Sequence, residues 1–153
     1  MKEFIITWCI ENITYSWHKT GEKIVSPTFV AGPIQNSSWV IHLYPRGESL
    51  GDYLSLYLQR GEDEGPSDLA IDFEFAFITA AGNPYAITEF CRYFAKGAAF
   101  RHERFMGRHE VFFERKDLYL PQDILTLRCR IRTGKGILEE SRKSFGRTRL
   151  DIE

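Results

Sequence analysis

Eight short runs in which apolar residues alternate with polar ones, most of them closed by turn residues, restrict what this chain can fold into. The clearest is DYLSLYL, where Leu54, Leu56 and Leu58 alternate with Tyr53, Ser55 and Tyr57. Successive side chains of a strand point to opposite faces, so the leucines form a core-facing row and the tyrosines occupy the other face. Comparable runs span 3–10, 23–30, 37–44, 69–79, 86–94, 109–113 and 124–132. Between them lie HKTGE, AGPIQN, PRGESLGD, RGEDEGPSD and AAGNP, rich in the residues that accept turn geometry. Strands at this spacing, without long helical segments between them, predict an all-β, eight-stranded antiparallel β-sandwich rather than a βαβ array. Trp8, Trp17 and Trp39 are expected in its core.

The length of 153 residues fits one domain. Alternation ends near residue 133, so the expected boundaries are a domain over 1–133 and a basic polar tail over 134–153. That tail reads as a linker remnant, mobile or partly helical, and is too short for a further domain. From Arg128 to Glu153 eight Lys/Arg face four Asp/Glu, while the whole chain carries a net charge of −1. Neither a nucleic acid nor a membrane surface is implied by that balance. No apolar run approaches the roughly 20 residues needed to span a bilayer. The three cysteines, Cys9, Cys91 and Cys129, form no CxxC and no even framework; each lies in a strand run and is expected to be buried and reduced. The expected localisation is therefore intracellular, in nucleus or cytoplasm. The four histidines lack the spacing of a zinc site, and no catalytic motif or cofactor-binding loop is present. Neither metal, cofactor nor catalysis is expected.

Six segments in order carry a family likeness. TWCIENITYS, GEKIVSPTF, SWVIHLYPRG, DYLSLYL, FEFAFITAAG and LYLPQDILTLRC resemble successive strands and turns of the MATH (meprin and TRAF homology) domain, most closely that of the speckle-type POZ protein group. The resemblance covers about residues 3–132. It implies a sandwich with a shallow groove that binds extended peptides: an apolar residue, a polar residue, then serines or threonines. It also implies a role as the substrate-recognition part of a cullin-dependent ubiquitin ligase adaptor, a cullin being recruited only if a BTB/POZ domain is supplied elsewhere, since none is expected within 134–153. The alternative is a TRAF-like signalling adaptor that binds receptor tails.

Residue by residue, the resemblance assigns Tyr57, Phe73 and Phe100 to the groove, with Tyr53 and Tyr93 beside them. Phe73 has a competing reading, because it shares parity with Phe75 and Phe77 and simple alternation places all three in the core. The family's loop of form F-x-x-G-x-x-W-G-F-x-K-F is matched here by FAKGAAFRHERF, residues 94–105. Phe100, Arg101 and His102 stand where the family has W-G-F. Arg101 and His102 add charge and a titratable ring at the expected peptide site, shifting the expected ligand toward a different or more acidic one.

Overall fold

The computed structural model describes residues 1–49 and 51–152. Ten strands among the described residues form two five-stranded sheets packed face to face. The first sheet has the order β10 (Glu140–Arg149), β1 (Lys2–Glu11), β9 (Ile124–Thr133), β6 (Asp68–Ile78), β7 (Pro84–Ala95). In the second, β2 (Ile24–Val25) is followed by β4 (Ser37–Tyr44), β5 (Tyr53–Arg60) and β8 (Ala99–Gly107), with β3 (Phe29–Ala31) also paired to β4. The sandwich is as the alternation predicts, and all pairs but β1–β10 are antiparallel.

The inward rows are those the sequence marks. Leu54, Leu56 and Leu58 of β5 face Phe73, Phe75 and Phe77 of β6 across a core that also encloses Trp8 and Trp39. Rings interlock there: Trp39 meets Phe94 edge-on at 5.0 Å, and Phe77 stacks on Phe105 at 4.8 Å. Burial of such rings supplies most of the stabilisation, about 1.5–3 kcal/mol for each fully covered side chain.

Four expectations are corrected. The run 23–30 divides into β2 and β3 around Pro27, which has no N–H to give a ladder. The segment 109–113 is not a strand; it enters a π-helical turn (Glu110–Glu114) that leads into α1 (Lys116–Tyr119). Contacts spaced i,i+5, the Glu110–Arg115 ion pair and His109 Nε2 at 3.4 Å from Glu114, suit the wide turn. Residues 99–107 are a strand, although Glu103 and Arg104 interrupt their alternation. A bulge opposite Ser55 absorbs the extra residues, and the Ser55 hydroxyl donates to Glu103 O at 2.7 Å. Trp17 lies on the surface at 76% exposure, outside the core.

The largest correction concerns the tail. Residues 140–149 are neither mobile nor helical but form β10, paired in parallel with the whole length of β1. Its inward residues, Ser144, Gly146 and Thr148, are small or polar and leave no hydrophobic signature. The strand is held by backbone pairing, by Trp8 Nε1 donating to Thr148 Oγ1 at 2.8 Å, and by Asn12 donating to Leu150 O at 3.0 Å. Gly146 is required sterically: a Cβ there would lie 2.7 Å from the ring of Phe29 on the opposite sheet.

Candidate peptide-binding edge

On the side of the sandwich away from β10, each sheet ends in a strand paired on one side only, β7 and β8. They are joined by a turn at Ala95–Ala98 in which Gly97 has φ of 79°, a left-handed conformation that glycine takes without steric cost. A clamp fixes that turn to the end of β5. The Arg60 guanidinium, 0% exposed, donates to Phe94 O at 2.9 Å, to Pro66 O at 2.7 Å and to both oxygens of Asp63. The Arg60 N–H donates to Ala98 O at 2.9 Å. Asp63 also accepts from the N–H of Ser38 and of Gly65, and its side-chain bond to Arg60 is the largest cause holding its carboxyl down at about 2.

The same Arg60–Ala98 bond sets the phase of the β5–β8 ladder. Residues two apart share a hydrogen-bonding state, so Phe100 and His102 direct their backbone groups toward β5, and Ala99 and Arg101 direct theirs to the free side. Side chains follow the register. Phe100 is opposite Leu58 and points between the sheets, whereas Arg101 is opposite Tyr57 and points outward with it.

Two small clusters therefore flank the β8 edge. Between the sheets, Phe100 lies 4.5 Å from Phe90 of β7 and 5.3 Å from Phe73, with the Arg92 guanidinium 4.9 Å above its ring. His102 joins this row, 5.2 Å from Phe90, with its Nε2 enclosed and without a hydrogen-bond partner among the described residues. Burial lowers its pKa, so the ring at this site is neutral rather than cationic near pH 7. On the outer face, Tyr57 is 4% exposed, covered by Tyr44 at 4.9 Å and by the Arg101 guanidinium at 5.3 Å. The Tyr57 hydroxyl is buried and has no hydrogen-bond partner among the described residues.

The seven expected residues thus divide. Phe100 and His102 lie together between the sheets; Tyr57 and Arg101 lie together outside. Phe73 is 3% exposed and forms the floor beneath Phe90 and Phe100, as its parity with Phe75 and Phe77 requires. Tyr53 sits farther along β5 under the Arg104 guanidinium, 5.6 Å away. Tyr93 is 80% exposed on the outer face of the first sheet, turned away from both clusters. Phe90 and Arg92 are the residues the sequence reading missed. Their signal was available, because Thr88, Phe90, Arg92 and Phe94 share the parity of the buried Phe94. Cys91, expected to be buried, has the opposite parity and is exposed. Its thiol pKa is raised, chiefly by the Asp72 carboxylate opposite it on β6, the reverse of what activates a nucleophilic cysteine.

This architecture matches known proteins. A solved structure, Notothenia coriiceps TRAF5, superposes with a TM-score of 0.64 over 89% of this chain and 77% of its own, at 16% identity, which shows a shared fold. The mouse TD and POZ domain-containing protein 2 is 29% identical over 135 residues, 86% of this chain. The chain spans 36% of the length of that relative. The family model of the MATH domain matches residues 5–131, ending before β10 begins. The chain therefore belongs to the MATH domain family and has the fold of a protein-interaction module related to the TRAF and POZ-associated MATH domains.

Proposed function

We propose that this domain holds a short extended segment of a partner protein against the free edge of β8. The observation that carries the reading is the geometry of that edge. Ala99 and Arg101 offer unpaired backbone groups, and an added strand would send its side chains alternately to the two flanking clusters. An apolar residue enters beside Phe90 and Phe100, displacing or sliding along the Arg92 guanidinium. Its neighbour turns outward over Tyr57, where the enclosed hydroxyl would gain a partner from a serine or threonine. A segment of apolar, polar, then Ser/Thr residues fits this alternation, and Arg101 favours an acidic neighbour.

In a longer protein carrying a POZ domain, as the mouse relative's name records for that protein, the bound segment would be a substrate presented to a cullin-dependent ubiquitin ligase. The setting proposed is intracellular, and three free cysteines support it. Because the contact is shallow and a few anchors dominate such sites, affinity is expected around micromolar, about −8 kcal/mol. The test is calorimetric titration with an extended Ser/Thr-rich peptide against the wild type, Tyr57→Phe and Phe100→Ala. Micromolar binding weakened by both variants supports the reading; equal binding by all three proteins removes the edge as the site.

A further inference from the structure

Arginines in this molecule normally come with carboxylates. On the outer face of the first sheet, Arg128, Arg130 and Arg132 each lie within 4.0 Å of Glu3 or Glu74. One cleft gathers several cations that lack such partners. At the end of the sandwich where residues 13–18, the turn after β4 and the segment following β8 converge, a hollow of about 300 Å³ is lined by Thr14, Ser16, His18, Arg46, Arg108 and Lys116, with Phe112 and Phe113 closing one wall. No carboxylate is among its lining residues. Among the described residues, Arg46, Arg108 and Lys116 make no ion pair.

The cleft is also built. The Arg108 guanidinium is fixed, donating to Pro45 O and lying 4.5 Å from the centre of the Phe112 ring. Its pKa is lowered, first by burial and then by repulsion from Arg46. Ser16 Oγ and His18 Nδ1 share a hydrogen bond of 2.7 Å, which orients the imidazole. The nearby Asp123 carboxylate is engaged by the N–H and hydroxyl of Thr14. At the rim, Phe113 is 68% exposed; Trp17, between Ser16 and His18 in the chain, is 76% exposed and lines the neighbouring hollow with Arg46.

We infer that this cleft is a binding site for a phosphate monoester, distinct from the β8 edge. Two arginines and a lysine converging on a concave hollow beside the Ser16 hydroxyl match the several acceptor oxygens and double charge of that group. The hollow suits a compact anion better than a flat lipid surface, and the exposed rings of Phe113 and Trp17 suit residues flanking a phosphorylated side chain.

The test is a 1H–15N NMR titration with inorganic phosphate at constant ionic strength, with chloride as control. A phosphoserine peptide and its unphosphorylated twin follow. Saturable shifts at 14–18, at Arg46 and over 108–116, with a dissociation constant on the order of 1 mM, are expected. Arg46→Gln and Lys116→Gln, both exposed positions, should each weaken binding about tenfold with an unchanged melting temperature, the loss of one charge-assisted hydrogen bond. A phosphopeptide that binds more tightly than free phosphate supports the monoester and identifies a side chain as its source, whereas equal affinity would overturn the monoester in favour of the free ion. Shifts no larger than with chloride, shifts spread over the arginines of β9 and β10, or a preference for single-stranded RNA or anionic vesicles at these residues would overturn the assignment.

Discussion

The two long sides of the sandwich solve the problem of an open sheet edge in opposite ways. On one side β1, paired with β9 along its other edge, would leave the outward backbone groups of alternate residues unpaired along all ten of its positions, and β10 covers that whole length in parallel register. On the other, β7 and β8 stand next to each other with their outer edges uncovered and an aromatic row between them. The covered side shows what an added strand needs in this fold. It needs backbone groups in register, one close approach at Gly146 and a few polar anchors such as Thr148, and almost no hydrophobic pattern. The outer edge of β10 in turn carries Arg142, Lys143, Arg147 and Arg149, charges that discourage further pairing. The β8 edge has the same backbone grammar and adds sorted side-chain surfaces, which is the difference between an edge closed by its own chain and the open one proposed to take a partner strand.

The clamp behind the open side gives the largest expected effect. Asp63→Asn would leave the buried Arg60 guanidinium without its counter-ion and should destabilise the domain by about 3–5 kcal/mol in urea unfolding. It should also loosen the β7–β8 turn, seen as faster amide exchange at Ala98. The Asp63 carboxyl titrates lower in the folded state, at about 2, so its stabilising contribution is full above the ordinary carboxylate range and disappears as pH falls through about 2. On the covered side, Gly146→Val drives a side chain into Phe29 and should cost about 1–3 kcal/mol. Exchange of β1 amides should rise while β8 amides stay unchanged; a uniform response would mean the two sides are not independent.

How far these regions were legible in the sequence follows from what holds them. The inward rows of β5 and β6 announce themselves by strict alternation of leucine and phenylalanine. β10 does not, because Ser144, Gly146 and Thr148 are chosen for fit and hydrogen bonding rather than apolarity. β8 was obscured by its bulge, which inserts Glu103 and Arg104 and shifts Phe105 out of phase with Phe100. Of the candidate site, Phe100, His102, Tyr57 and Arg101 were all named from the resemblance, but their division between two faces depends on the register with β5. Phe73 was better placed by parity than by likeness. Phe90 and Arg92 were missed because the resemblance drew attention to Tyr93, the neighbour that points the other way.

A smaller effect separates the histidines. His42 and His102 both have lowered pKa values, caused first by burial, so protonation is easier in the unfolded chain. Stability should be complete above the ordinary histidine value near pH 6.5 and decline as pH falls below it. His102→Gln should flatten part of that decline, read from melting temperature between about pH 7 and 5. The smallest expected effect is that of Tyr57→Phe, which removes a hydroxyl without a partner. Stability should change by less than about 0.5 kcal/mol or rise slightly, while affinity for a Ser/Thr-bearing peptide falls several-fold.

The central claim, that the β8 edge receives a partner strand, is tested most directly by 1H–15N NMR during titration with an extended Ser/Thr-rich peptide. Saturable shifts are expected at Ala99, Arg101, Phe90 and Tyr57, together with slowed exchange of the Ala99 and Arg101 amides as they acquire hydrogen-bond partners. Saturable binding with unchanged exchange at those two amides, or with shifts confined to the outer face of the first sheet around Cys91 and Tyr93, would contradict it.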